Sequence, residues 1–364
     1  DVVVVGLGKT GASVASYFLE KGESVAVVDS RNQPPELDHL QKSYPDVPLY
    51  LGGFDQAVLL SAKQIVISPG VSRLEPAIQA AVGAGIQLSS DIEIFCQQVE
   101  QAIVAVTGSN GKSTVVTLLK EMMEQSGLRV GLAGNIGTPV LDLLQSDEPD
   151  FYVLELSSFQ LETLQSLNAV AALVLNISSD HMDRYRDLAE YAAIKQKIYA
   201  GDGSMIINRE DQRVACMLED KRNSISYGLS EPNENEFGIR VFKEEKWLCR
   251  GQALLLPASA LKIKGAHNVS NALATLALGS AIDLTMQSML KVLQEFPGLP
   301  HRCQWIANID SVDWYNDSKG TNVGASCAAI TGLSEKQDLI LIAGGDGKQA
   351  DFSPLADAIE KHVR

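Results

Sequence analysis

The chain lacks the features that would mark a membrane-spanning, disulfide-stapled or nucleic-acid-binding protein. No run of apolar residues is long enough to cross a bilayer, although 45% of the 364 residues are hydrophobic. The five cysteines, Cys96, Cys216, Cys249, Cys303 and Cys327, lie far apart, form no C-x-x-C pair and are odd in number. They read as reduced packing thiols, which points to the cytoplasm. Lys and Arg number 30 against 45 Asp and Glu, for a net charge of −15. Neutralising a nucleic-acid backbone needs clustered cations that are not found here, so nucleic acid is not an expected partner. There is no low-complexity tract, and no repeat beyond an alternation of strands and helices. No basic leader precedes "DVVVVG", which already reads as a buried strand, so no signal peptide is expected. Any anionic substrate must be held by local basic residues and metal.

What is present is two or three domains' worth of α/β pattern. In residues 1–92, "VVVV", "SVAVVD" and "QIVISPG" read as parallel strands separated by amphipathic segments, a Rossmann-like unit. Residues 93–296 start a second series with "AIVAVTG", "FYVLELSS" and "AALVLNIS", turn to short strands from "GSMIINRED" to "ALLLPASALKIKG", and add an Ala/Leu helix at "NALATLALGSAI". After a break near "EFPGLPHR", residues 297–364 open a third strand-and-helix unit with "DWYNDS" and "LILIAGGDGK". It is shorter than a usual doubly wound domain, so it reads as incomplete.

The strongest chemical signal is "VAVTGSNGKSTVVTLLKEM": a strand, a Gly-Lys-Ser turn and a helix starting near Ser113. Gly108 and Gly111 free the backbone to curl, so N–H groups at Ser109, Asn110 and beyond can point at an anion with the helix dipole behind them. Lys112 adds a charge, and Ser113 or Thr114 is the usual Mg²⁺ ligand of a phosphate-binding loop. Only two residues separate the glycines, where the general Walker pattern has four. A second glycine set, Gly6, Gly8 and Gly11 in "VVVVGLGKTG", matches G-x-G-x-x-G, with Asp29 at the spacing of a ribose-binding acid. Alone it favours a nicotinamide or flavin cofactor, or else a tight turn holding another diphosphate. "SPGVS", with Gly70, closes a strand at the same edge as a ligand contact or an ordinary turn.

Glu155 ends a buried strand in "LELSSFQLE", where a carboxylate is costly unless a cation meets it. His181 follows the next strand in "NISSDHMDRY", as a metal ligand or a surface histidine. Parallel strands deliver their C-terminal ends to one edge, so both could converge on the phosphate loop around Mg²⁺ or Mn²⁺. On composition alone Lys195 and Lys197 in "YAAIKQKIY" are ordinary solvated lysines. Asn268 and Asn271 share a helical face, facing an adenine edge or capping the helix. Arg302, Asp317, Lys319 and Thr321 lie near the domain break, as triphosphate contacts or as surface salt bridges.

Together "TGSNGKST", "LELSSFQLE", "DHMDRY", "GAHNVSNALA", "GLPHR" and "NDSKGTN" resemble, in content and order, the Mur ligases and the related folylpolyglutamate synthetases. The resemblance covers the whole chain and implies an α/β, three-domain Mur ligase architecture: a Rossmann-like N-terminal domain, a P-loop-type central ATPase domain and an incomplete Rossmann-like C-terminal domain. "GLGKTG", "LELSSFQLE" and "GGDGK" are similar to the branch that adds D-glutamate to UDP-N-acetylmuramoyl-L-alanine in peptidoglycan synthesis. The implied reaction is ATP-dependent: an acyl phosphate forms on the L-alanine carboxylate and is attacked by the amino-acid amine. A folylpolyglutamate-type ligase lacks the UDP domain seen in Gly6 to Arg31; another Mur ligase, or a nucleotide-dependent binding protein, is the alternative reading.

The resemblance also implies roles. Lys112 would bind the β/γ-phosphates, with Ser113 or Thr114 and Glu155 on one Mg²⁺, and His181 and Lys195 on a second. The lysine matching Lys195 is carbamylated in the family, which converts an amine into a carboxylate ligand. Asn268 and Asn271 look like adenine contacts, and Arg302 and Asp317 like ribose and phosphate contacts. Lys319 and Thr321 look like a domain-closing pair, and Lys348 like a D-glutamate contact. Gly8, Lys9, Thr10, Ser30, Arg31 and Gly70 would meet the UDP portion, reversing the nicotinamide reading, and Asn135, Ser157 and Ser158 the muramoyl portion. A monomer is expected.

Overall fold

A computed structural model describes residues 1–145, 147–334, 337–347 and 350–364. The chain divides into two compact units: Asp1–Ala102, Gly131–Tyr152 and Leu156–Asn168 form the first, and Ile103–Val130, Val153–Glu155 and Ala169–Arg364 the second.

The first unit is built on five short parallel strands, β1 (Val2–Val5), β2 (Val25–Asp29), β3 (Leu49–Leu51), β4 (Gln64–Ile67) and β5 (Gln87–Ser89). Their crossovers are the helices α1 (Lys9–Glu20), α2 (Leu37–Ser43), α3 (Gln56–Ser61) and α4 (Pro76–Gly83), followed by α5 (Asp91–Gln98). A strand covered on both faces must be apolar throughout, and Val2 to Val5 are all buried, with β-branched side chains suited to the pleat. The order β3-β2-β1-β4-β5 makes the chain reverse direction across the sheet at β1 and β4. That is the switch point where an open α/β sheet leaves a crevice beyond its strand ends. The strands foreseen at β1, β2 and β4 are present. β3 and β5, three residues each, carried no pattern long enough to read.

The chain then supplies β6 (Ala102–Thr107) and α6 (Lys112–Gln125), followed by β7 (Val130–Gly134), β8 (Phe151–Glu155) and α7 (Ser158–Thr163). Next come β9 (Ala171–Val174), α8 (Leu188–Gln196), β10 (Ser204–Asn208), α9 (Gln212–Ala215) and β11 (Ser224–Tyr227). In the second unit β11, β10, β9, β6 and β8 are consecutive neighbours, and β9 lies parallel to β6 and β10, with Ala171 beside both Val104 and Ser204. β12 (Phe237–Phe242), β13 (Glu245–Arg250) and β14 (Ala253–Pro257) extend the far edge as the strand-rich region foreseen there, β12 to β14 running antiparallel. α10 (Ala266–Ala281) is the Ala/Leu helix, buried from Ala272 to Gly279, and α11 (Met286–Glu295) follows it.

The C-terminal segment differs from its expectation in detail. β15 (Gln304–Ile309) and β16 (Val312–Asn316) form an antiparallel hairpin, followed by α12 (Val323–Leu333) and α13 (Ser353–His362). "LILIAGG", read as a strand, forms only an isolated bridge from Leu339 to Val363, and Ile340 and Ile342 are 74% and 82% exposed. A strand needs a partner ladder along its length, and the described residues supply one bridge.

Candidate active site

The glycine loop between β6 and α6 has the conformation its composition dictates. Gly108 (φ +151°) and Gly111 (φ +88°) both sit where L side chains rarely go. A Cβ on Gly108 would come within 2.8 Å of the Leu175 Cβ, and one on Gly111 within 2.6 Å of Asn271 Oδ1. The curl is held from one side. Asn110 donates its backbone N–H to Asn176 Oδ1 at 2.8 Å, and Asn176 Nδ2 donates back to the Asn110 carbonyl at 3.0 Å. Ser109 N–H is directed to the Asn176 carbonyl, also at 3.0 Å. The N–H groups of Ser109 and Asn110 are therefore both spent on Asn176. What remains for an anion is the start of α6, where the first intrahelical bond is Val115 N–H to the Gly111 carbonyl and the four preceding N–H groups come before it.

Cationic groups surround that helix end. Lys112 Nζ donates to the carbonyls of Gly108 (2.8 Å) and Ser109 (3.1 Å), and Arg302 Nη2 donates to Ser113 Oγ at 2.8 Å. Ser113 and Thr114 are buried at the first turn. Burial holds the Lys112 ammonium below its ordinary value, offset in part by Glu155 and Asp180 and reinforced by Arg302.

Lys195 is the largest departure from composition. Lys197 is exposed as a solvated lysine should be, but Lys195 is 1% exposed. α8 directs it inward, where Nζ donates to Thr107 Oγ1 at 3.2 Å and to the Gly108 carbonyl at 3.0 Å and lies 4.7 Å from the Tyr191 ring centre. Burial first, then the nearby Lys112 charge, bring its amine well below the ordinary lysine range, against the pull of Asp180 and Glu155. The solvated-lysine reading fails because a side chain's face on a helix says nothing about what packs over it. Glu155 ends β8 at 1% exposure, as its strand position requires. His181, at φ +55°, lies in the turn after β9 with its Nε2 3.7 Å from Asp180 Oδ2. Among the described residues no three His, Cys, Asp or Glu side chains gather closely enough to hold a metal by themselves.

Beside the loop, a cleft of about 160 Å³ is lined by Asn110, Gly111 and Thr114 together with Asn268, Asn271, Arg302, Asp317 and Lys319. Five residues chosen from three separate motifs thus converge on one wall of the phosphate loop. Asn268 and Asn271 are buried on the inner face of α10, with Asn271 Nδ2 donating to Asn268 Oδ1 at 3.3 Å. Asp317 Oδ1 accepts the Cys303 N–H at 3.0 Å. Thr321 is exposed just before α12. Lys348 lies outside the described residues.

Sequence reasoning missed Asn176, Asp180, Tyr191 and Asn322. Asn176 and Asp180 were within reach, since they stand inside "NISSDHMDRY". An asparagine directly after a strand beside a phosphate loop is a fair candidate to clamp it.

The first unit has its own glycine turn. Gly6 takes φ +93°, a Cβ on Gly11 would lie 1.8 Å from the Gly6 carbonyl, and a Cβ on Gly8 would meet nothing within 4 Å. Lys9 is exposed and Thr10 half-buried at the open N-terminus of α1, and Ser30 and Arg31 follow the end of β2 and Gly70 that of β4. Asp29 cannot act as the free ribose acid of a dinucleotide site. It accepts Leu7 N–H (2.6 Å), Arg31 N–H (2.8 Å) and Arg31 Nε (2.8 Å) and Nη2 (2.6 Å), so its acceptor capacity is filled internally. Asn135 is exposed after β7. Ser157 is committed to a capping box with Gln160 at the start of α7, and Ser158 is 3% exposed in its first turn.

A phosphate-loop α/β protein, with a glycine turn at a second sheet's switch point, is the class that these features define. Residues 1–90 match the Mur ligase MurD-like N-terminal domain and residues 106–279 the Mur ligase middle domain. The chain is 52% identical to UDP-N-acetylmuramoylalanine--D-glutamate ligase of Nitrosococcus oceani over 100% of its own length and 80% of that protein's. It is 50% identical to the protein of that name from Marinobacter nauticus, covering 98% of this chain and 80% of that one. A crystal structure of MurF from Acinetobacter baumannii shares the fold with a TM-score of 0.60 at 17% identity, covering 100% of this chain and 76% of that one. The chain belongs to the Mur ligase family.

Proposed function

We infer that the chain is an ATP-dependent amide-forming ligase that adds D-glutamate to UDP-N-acetylmuramoyl-L-alanine in peptidoglycan synthesis. The observation that carries this is the match along its whole length to relatives bearing that name. A carboxylate is a poor electrophile. Transfer of the ATP γ-phosphoryl to the L-alanine carboxylate makes an acyl phosphate and ADP. The D-glutamate amine then attacks the acyl carbon, and phosphate departs as the amide forms. Lys112, turned from the loop carbonyls to the β/γ-phosphates, and Arg302 supply positive charge where the transferring group carries negative charge. Asn268 and Asn271 would hold adenine, Asp317 the ribose, and Lys319, Thr321 and Lys348 the acceptor side of the reaction.

The donor set suits Mg²⁺: two small hydroxyls at the start of α6 and a buried carboxylate leave positions for phosphate oxygens and water, which that ion prefers to an all-protein cage. Ser113 or Thr114 with Glu155 would hold one ion, and His181 with a carbamylated Lys195 a second. Bound there, the ions neutralise developing phosphate charge. The buried, easily neutralised amine of Lys195 supports carbamylation, since carbon dioxide adds to the unprotonated form.

We further propose the division into residues 1–92 for the UDP-substrate, 93–296 for ATP and 297–364 for the amino acid. Gly8, Lys9, Thr10, Ser30, Arg31 and Gly70 would serve the UDP portion, and Asn135, Ser157 and Ser158 the muramoyl portion. The substrates are cytoplasmic metabolites, which supports a cytoplasmic enzyme. The test is phosphate release from Mg·ATP with UDP-N-acetylmuramoyl-L-alanine, with and without D-glutamate. Release that needs both, and is not supported by L-glutamate, is the expected result. Release that ignores the UDP-substrate overturns the reading.

A further inference from the structure

The segment after the C-terminal hairpin meets the phosphate loop through one side chain that the proposed chemistry does not use. Asn322 is the N-cap of α12, where its Oδ1 accepts the Ala325 N–H at 2.8 Å. Its Nδ2 points the other way, donating to Asn110 Oδ1 at 3.0 Å and toward Asp180 Oδ2 at 3.4 Å. Asn110 is already fixed through its backbone by Asn176, and its own Nδ2 reaches Ser178 Oγ at 3.4 Å. Three segments distant in sequence, the phosphate loop, the turn after β9 and the start of α12, therefore meet at one carboxamide. Gly324 lies in the junction, where a Cβ would stand 3.4 Å from Ser178 Oγ and 3.5 Å from both Asn110 Nδ2 and Asn322 Oδ1.

Residues on both sides of Asn322 belong to the cleft: Lys319 just before it, Ala325 and Ala328 on the first turns of α12. We propose that Asn322 is a positioning residue, latching the Lys319–Thr321 segment and the first turn of α12 onto the phosphate loop through Asn110. Its effect on turnover rests on the ligase reading above. The chemistry selects an amide. Serine caps a helix comparably but is too short to reach Asn110 while capping. Aspartate caps equally well, but it loses the donor and sets a second carboxylate against Asp180.

The test separates the latch from the reaction. Hydrogen exchange of the α12 amides, in the chain without nucleotide, is compared for wild type, Asn322→Ser, Asn322→Asp and Asn322→Asp with Asp180→Asn. Exchange is expected to rise at least about fivefold in Asn322→Ser and further in Asn322→Asp, with the added Asp180→Asn bringing it back toward the serine variant. Turnover with D-glutamate is expected to fall about tenfold in Asn322→Ser while the KM for ATP stays within about threefold. Asn110→Ala combined with Asn322→Ser should be no worse than the poorer single variant, because both remove the same bond. Unchanged α12 exchange overturns the latch. Faster exchange with turnover intact, or additive losses in the double variant, overturns the positioning role. Phosphate release by wild type that ignores D-glutamate overturns the ligase reading and the positioning role with it, a result distinguishable from loss of the latch because exchange is read without substrates.

Discussion

Asp91 gives the most exacting test of the packing in the first unit. It opens α5 at 4% exposure, and its Oδ1 has no hydrogen-bond partner among the described residues. Burial raises its carboxyl from the ordinary 3.8 to about 6, against the backbone N–H groups of Ile92 and Asp91 itself. The gap of about two units corresponds to roughly 3 kcal/mol at about 1.36 kcal/mol per unit. The sign follows from proton counts. Between pH 3.8 and about 6 the folded chain holds a proton on Asp91 that the unfolded chain has released, so this group's contribution to stability falls as pH rises through that window. The carboxamide of the Asp91→Asn variant never ionises. That variant should match wild type near pH 4 and be more stable by up to about 3 kcal/mol at about pH 7 and above. Burial also pushes the Glu93 carboxyl up, but the Ser166 hydroxyl and the N–H groups of Gln165 and Ser166 outweigh it and hold Glu93 low; that contribution cancels in the comparison. The readout must see the first unit. Trp247, Trp305 and Trp314 all lie in the second, so none of them reports the first unit directly. Amide exchange of β1 and β2, corrected for intrinsic rates, reports the opening free energy directly. A difference between the two proteins that stays flat from about pH 4 to 8 would refute the burial argument.

Three further outcomes follow from the site and the glycine turns. Lys112→Ala should abolish ATP-dependent ligation while leaving UDP-substrate binding intact, read as phosphate release beside calorimetry with the UDP-substrate; unchanged turnover removes Lys112 from the phosphate site. Lys195→Ala should lose activity, and a short-chain carboxylate added in solution should restore part of it by standing in for the carbamate; full activity without the additive removes Lys195 from the metal site. Gly11→Ala forces a Cβ to 1.8 Å from the Gly6 carbonyl, so the turn must open and stability should fall by about 3 kcal/mol or more, whereas Gly8→Ala, with open space around it, should cost under about 1 kcal/mol in thermal or denaturant unfolding.

Local features were legible and contacts between distant segments were not. β1, β2 and β4 are short β-branched runs bounded by turns, and the phosphate loop is contiguous from Gly108 to Thr114, so pattern and spacing sufficed. "LILIAGG" has the same composition as a buried strand but finds only one bridge among the described residues, which shows that an apolar run specifies a strand only where a ladder is available to receive it. Asn176 and Asn322 act on Asn110 across 66 and 212 residues of chain. No periodicity encodes such a pairing, and each is an ordinary polar residue until the fold supplies its partner.

Lys195 shows how far a reading of one helix and the folded surroundings of the same atom can differ. Read on its helix, the residue is one of two lysines near the end of α8, and solvation is the cheaper state for an ammonium. The fold instead closes Tyr191, one turn earlier, and the end of β6 around it, and Nζ turns to the Thr107 hydroxyl and the Gly108 carbonyl in place of water. An ammonium so placed has lost water and gained the repulsion of Lys112, so the neutral amine is favoured at a pH where a surface lysine would stay charged. The burial that looks like a cost to folding is also what the proposed carbamylation needs, because carbon dioxide adds to the neutral amine. A lysine left in water keeps its proton and offers no oxygen ligand to a metal ion.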